Sequence, residues 1–191
     1  MKQLIILLFF TGIAQAQDII KTTYKANLNV KVLAVDQTIA YKTDANSATT
    51  YYIAKSEVDE IIYENGTTTK IDHPEISAEE AKNNLKAIIN SYVTYSNKSS
   101  DKLTATFEGS NLKLSSESGD TALYNIAVVT RFDQISYRKD NQAFVNLWTV
   151  KYNKGNWEKY KLILKTQNFE QATLLLDAFI QANKAIKRER N

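Results

Sequence analysis

The chain has 191 residues, no cysteine, and a near balance of 24 Lys+Arg against 21 Asp+Glu, for a net charge of +3. That composition excludes disulfides, thiol nucleophiles and Cys-ligated metals, and it gives no global field that would steer the protein onto nucleic acid. The length allows a proper buried core, as one domain or two small ones.

Met1-Lys2, the apolar run Leu4 to Phe10 and the small-residue stretch ending Ala14-Gln15-Ala16 follow the charged, apolar and A-x-A order of a signal peptide. The expected cleavage is after Ala16. The apolar run is far shorter than the ~20 residues of a membrane span, and no later stretch is long enough, so no transmembrane segment is expected.

From Asp18 to residue 72 the pattern is short and β-rich. Asp18 to Tyr24, Leu28 to Ala34, Thr38 to Tyr41, Tyr51 to Ala54 and Val58 to Tyr63 are candidate strands at the spacing of a meander or small barrel. Asn65-Gly66, between Tyr63 and Thr67, signals a hairpin because Asn-Gly tolerates the positive φ of a type I′ turn. After Pro74 the period changes from 2 to 3.6. Ser77-Ala78-Glu79-Glu80 is a capping box, and Ala81, Leu85, Ile88 and Tyr92 share one helical face, which predicts an amphipathic helix over residues 78–92.

A second β region follows. Leu103 to Phe107 and Leu112 to Leu114 flank the turn Glu108-Gly109-Ser110-Asn111. Leu123 to Val129, Phe132 to Tyr137, Phe144 to Tyr152 and Trp157 to Lys165 continue it, with Asp140-Asn141 and Asn153-Lys154-Gly155-Asn156 as turns. The closing helix has Asn168 as N-cap, a stripe of Ala172, Leu175, Leu176, Phe179 and Ala182, and cations in its last turn. The expected fold class is α+β: a signal peptide over 1–16, a small antiparallel β module over 17–72, an α+β domain over 76–187 closed by a C-terminal helix, and a basic tail over 188–191.

Two resemblances attach to these segments. Val30-Lys31-Val32-Leu33-Ala34-Val35, Ile39-Ala40-Tyr41-Lys42, Tyr52 to Val58 and Ile61-Ile62-Tyr63-Glu64-Asn65-Gly66 resemble a small β-rich module of uncharacterised exported Bacteroidota proteins, over about residues 28–70. That family implies no catalytic residues. Residues 103–186 are similar in pattern to pleckstrin-homology-like (PH-like) domains, with antiparallel strands and one capping helix; Phe132 to Tyr137 and Glu170-Gln171-Ala172 carry the likeness.

No catalytic constellation is legible. His73 is the single histidine, so a zinc site with several imidazoles is excluded, and it sits in a polar turn where a solvated ring is the ordinary state. Glu57, Asp59 and Glu60 read as strand-edge charges and Glu79-Glu80 as capping acids, rather than as the paired carboxylates of a hydrolase. Ser115 to Asp120 has oxygens without the rhythm of a calcium loop, and the five glycines are too scattered to cradle a phosphate. No metal or cofactor is expected.

The aromatic hairpin stands out. Trp148, Tyr152, Trp157 and Tyr160 crowd one stretch, and exposed rings there could stack sugars or bases, although strand aromatics more often belong to cores. Asp120-Thr121-Ala122 matches the short pattern at which Bacteroidota O-glycosylate exported proteins, so Thr121 is a candidate acceptor. Lys184, Lys187, Arg188 and Arg190 could touch an anionic surface, although the helix dipole explains them as well. The function expected is an exported, non-enzymatic binding or assembly module, periplasmic rather than extracellular, with a protein, polymer or small-molecule partner. A carrier of a small apolar ligand and a carboxylate-dependent hydrolase are the alternatives.

Overall fold

A computed structural model describes residues 17–190 except 24, 96–100 and 139–140. The expected signal peptide and cleavage after Ala16 fall outside the described residues. The fold is α+β, with two antiparallel sheets, a helix between them in sequence and a closing helix.

Beta-rich segments of the first half become β1 (Asp18–Thr22), β2 (Asn27–Val35), β3 (Thr38–Lys42), β4 (Tyr51–Ala54), β5 (Val58–Ile62) and β6 (Thr68–Lys70). They form one sheet in the order β4-β3-β2-β1-β5-β6. Period-two alternation drives Ile20, Val30, Ile39, Ile53, Val58 and Ile61 into a small core of their own. Asp18 is buried at the head of β1, where its carboxylate accepts the backbone N–H groups of Val32 at 2.8 Å and Glu64 at 2.9 Å. It thereby ties together strands that flank β1 on both sides. The β5–β6 turn is the Asn65-Gly66 hairpin, with Gly66 at φ +82°, a backbone conformation that a side chain would strain.

Helix α1 (Ala78–Tyr92) has the expected limits, and Ser77 Oγ accepts the amide of Glu80 at 3.1 Å. Its buried stripe is Ala78, Ala81, Leu85 and Ile89. Tyr92 does not join it and is 39% exposed. Ile88 is partly buried against the same core, and Ile89 beside it takes the fully buried place in the third turn.

The second sheet contains β7 (Thr94–Tyr95), β8 (Leu103–Glu108), β9 (Asn111–Ser116), β10 (Thr121–Asn125), β13 (Ala143–Asn153) and β14 (Asn156–Thr166), ordered β7-β14-β13-β10-β9-β8. Where one strand was expected over Phe132 to Tyr137, two short pieces, β11 (Arg131–Phe132) and β12 (Ser136–Tyr137), pair with β13. Likewise β10 stops at Asn125, whose side chain accepts the amide of Ala127 and turns the chain into a 3₁₀ turn over Ile126–Val128. The sheet curls far enough that Thr94 also bridges Lys102 at the opposite edge.

Helix α2 (Phe169–Arg190) begins with the Asn168 side chain accepting the amide of Gln171 at 2.8 Å. It runs through Arg190, so residues 188–190 belong to it and are not a free tail. Arg188 binds Glu75 at 3.1 Å and the Ile76 carbonyl at 2.6 Å, and Glu189 accepts the Ala78 amide at 2.9 Å. The last turn of α2 therefore caps the start of α1. Phe179, Leu175, Leu85, Leu147 and Tyr124 meet in a larger core, separate from that of the first sheet. No helix among the described residues is long and apolar enough to cross a membrane.

Candidate functional site

The two cores meet along α2, which packs on α1 and β13 and also on β4. Tyr52 of β4 lies 6.4 Å from Phe169, and Tyr137 of β12 lies 6.3 Å from the same ring. Farther along α2, from Leu174 to Arg188, a cleft of about 880 Å³ opens. The turn after β4, the linker 72–76, the outer side of α1 and the middle of α2 supply its walls. Tyr92, the residue left outside the helix core, lines it.

The chemistry of the cleft centres on Asp177 of α2. Its carboxylate accepts the Ser56 hydroxyl, which reaches it from the 3₁₀ turn over Lys55–Glu57 of the first sheet, and Gln181 Nε2 at 2.6 Å. Burial pushes the Asp177 carboxyl above its ordinary value, against the hydrogen bonds from Ser56 and Gln181 and the charges of Lys184 and His73. Glu57, next to Ser56, is also pushed up, first by burial and then by the negative charge of Asp177, with the Ala54 backbone hydrogen bond and Lys184 opposing. Two acids from elements 120 positions apart in sequence thus share one electrostatic environment, with one lysine between signs.

Lys55, His73, Lys184 and Arg188 line the same cleft as Asp72, Glu75 and Asp177, so its walls carry both signs. His73 Nε2 faces Asp59 at 3.6 Å, while the Ser56 hydroxyl is bonded to a carboxylate. That geometry holds a carboxylate in place and puts no imidazole on the serine. Among the described residues no group of three or more His, Asp or Glu side chains is arranged to hold a metal ion.

Glu57 was among the acids weighed in the sequence; Asp177 was not. Its signal was available as one acid inside the apolar run Leu174-Leu175-Leu176-Asp177-Ala178-Phe179-Ile180. An acid within such a run either faces solvent or is held by partners, and here Ser56 and Gln181 hold it.

Elsewhere, the aromatic hairpin is divided between two faces. In the β13–β14 register Trp148 faces Lys161 and Tyr152 faces Trp157, on the side away from α2. Tyr160 faces Thr149 on the core side, 5.7 Å from buried Tyr124, with Lys151 5.0 Å from its ring. Trp148 is half-buried with Arg131 and Lys161 at 5.5 and 5.8 Å from its centroid, and its Nε1 is buried without a hydrogen-bond partner among the described residues. Tyr152 and Trp157 are 46% and 41% exposed, their centroids 5.3 Å apart. Thr121 opens β10 on the surface, its hydroxyl 3.2 Å from that of Ser115.

No protein-family model matches the chain, and neither a curated protein nor a solved structure shows significant similarity to it.

Proposed function

We propose that this is an exported, non-enzymatic binding protein whose cleft between the first sheet and the helices holds a small polar ligand bearing both charges, such as an amino acid or short peptide. The observation that carries this reading is the concave junction around Asp177, whose lining includes both cations and acids. A ligand amine set against Asp177 would relieve the repulsion between that carboxylate and Glu57, while Lys55 and Lys184 offer partners for its carboxylate. A wholly apolar ligand would leave these charges buried and unpaired, which costs several kcal/mol. The signal-peptide pattern supports export, and the resemblance over residues 28–70 to a module of exported proteins agrees with it.

The test is a panel of dipeptides, polyamines and dicarboxylates, read by thermal shift and NMR chemical-shift mapping. Dipeptides should raise the melting temperature and move resonances of Ser56, Asp177 and Lys184, and Asp177→Asn should abolish both effects. Equal responses from dicarboxylates, or none from any member, would overturn the reading.

One observation favours a second reading. Asp177 lines the cleft and Glu57, next to Ser56, feels its negative charge, so two acids lie near one another as a carboxylate-dependent hydrolase requires. Turnover of model glycosides that vanishes in Asp177→Asn would favour it over simple binding.

A further inference from the structure

The outer face of the β13–β14 hairpin is a linear track. Strand alternation puts Trp157, Lys159, Lys161, Ile163 and Lys165 of β14 on one side, while Leu162, Leu164 and Thr166 are buried toward α2 on the other. From Trp157 to Lys165 the track spans ~27 Å at ~3.4 Å per residue, longer than any single sugar or amino acid. Tyr152 packs beside Trp157 at one end and forms with it an exposed aromatic step.

Charge on this face is one-sided. Among the described residues, the ion pairs on this face are those of Asp133, with Arg131 at 2.6 Å and Lys161 at 3.3 Å. Against the burial that pushes it up, those two cations hold Asp133 below the usual carboxylate range. Among the described residues Lys159 and Lys165 have no acidic partner.

We propose that this face binds an acidic polysaccharide laid along β14, with a sugar ring on the Tyr152–Trp157 step and sugar carboxylates on Lys159 and Lys165. Aromatic rings stack on the apolar faces of sugars, and unpaired lysines recognise charges spaced along a chain. A duplex nucleic acid carries one charge per ~1.7 Å, and two unpaired lysines on a 27 Å track (~3.4 Å per residue) suit a polymer with one charge per sugar better. Trp148 is not part of the stacking step, because Arg131 and Lys161 already occupy positions over its ring. The site is independent of the cleft, which lies on the α2 side of the fold.

Affinity electrophoresis and calorimetry of the protein with polygalacturonate test this, with neutral dextran, single-stranded DNA and phosphatidylglycerol vesicles as competing probes. Polygalacturonate should bind, weaken with salt, and lose at least tenfold in affinity in Trp157→Ala and in Lys159→Glu/Lys165→Glu. Because these side chains are on the surface, both variants should melt within a few degrees of the parent, and Asp177→Asn should bind polygalacturonate unchanged. Equal binding to dextran, tighter binding to DNA or vesicles, no binding, or unaltered binding by both variants would each overturn the proposal.

Discussion

Ser56 and Asp177 are 121 positions apart and belong to different cores, so their hydrogen bond measures whether the first sheet is docked on α2. Ser56→Ala deletes the donor and leaves Asp177 with Gln181 Nε2 at 2.6 Å. A hydrogen bond to an ionised partner contributes about 1.5–3 kcal/mol, and the half-exposed position of Ser56 brings the expected loss to about 1–2 kcal/mol. Asp177→Asn keeps a single acceptor oxygen that Ser56 and Gln181 must share. The two substitutions therefore do not add. Urea unfolding of the parent, both single variants and the double variant at pH 7 gives the coupling energy directly, and it should be about 1 kcal/mol or more. Sites without a shared contact add to within about 0.3–0.5 kcal/mol. Coupling inside that limit would mean that the two side chains do not meet, and the cleft as described would go with them.

The pH dependence follows from the same carboxyls. Asp177 and Glu57 both titrate above their ordinary values in the folded chain, so the native state binds more protons than the unfolded state between those values and the raised ones. Their contribution falls as pH rises through that window, and Asp177→Asn should gain stability relative to the parent as pH rises above the ordinary carboxylate values of about 4; a stability difference independent of pH would refute this. Phe179→Ala, at a fully buried position of the larger core, should cost about 3–5 kcal/mol in denaturant unfolding. Asp18→Ala strips the acceptor from two backbone amides and should cost about 2–3 kcal/mol, with faster amide exchange at Val32 and Glu64 as the local readout.

Local chemistry made much of the fold readable. The Ser77 cap and the change of period after Pro74 placed α1 to the residue, and Asn65-Gly66 placed the β5–β6 turn. Likewise Lys154 and Gly155, at φ +46° and +90°, form the two-residue turn between Asn153 and Asn156 that the cluster of turn residues announced. What escaped was whatever depends on distant partners. The Phe132 to Tyr137 segment has strand composition throughout, yet after Asp133, whose amide still donates to the Asn146 carbonyl, the chain leaves β13 and rejoins it at Ser136, so the strand breaks in two. The aromatic cluster was visible as a crowd of rings, but only the register against β14 separates Tyr160 from Tyr152 and Trp157. The Glu57–Asp177 pair needs the docking of two cores before it exists at all.

The small size of the first core gives the cleft a further consequence. Six buried aliphatic residues are a modest anchor for a six-stranded sheet, and the sheet leans on α2 through Tyr52, Ser56 and the buried end of β4. Helix α2 in turn fixes the linker through Arg188 and caps α1 through Glu189. A molecule that fills the cleft would touch the turn after β4, the linker and both helices at once. Such a ligand binds only the docked arrangement, so it stabilises docking by RT ln(1 + [L]/Kd), about 2.7 kcal/mol at a hundredfold excess over Kd. Occupancy of the cleft and the orientation of the first sheet are then one equilibrium. Amide exchange protection in β4 and in the linker should rise together on ligand addition, while exchange at the tip of the β13–β14 hairpin, which lines no part of the cleft, stays as it was.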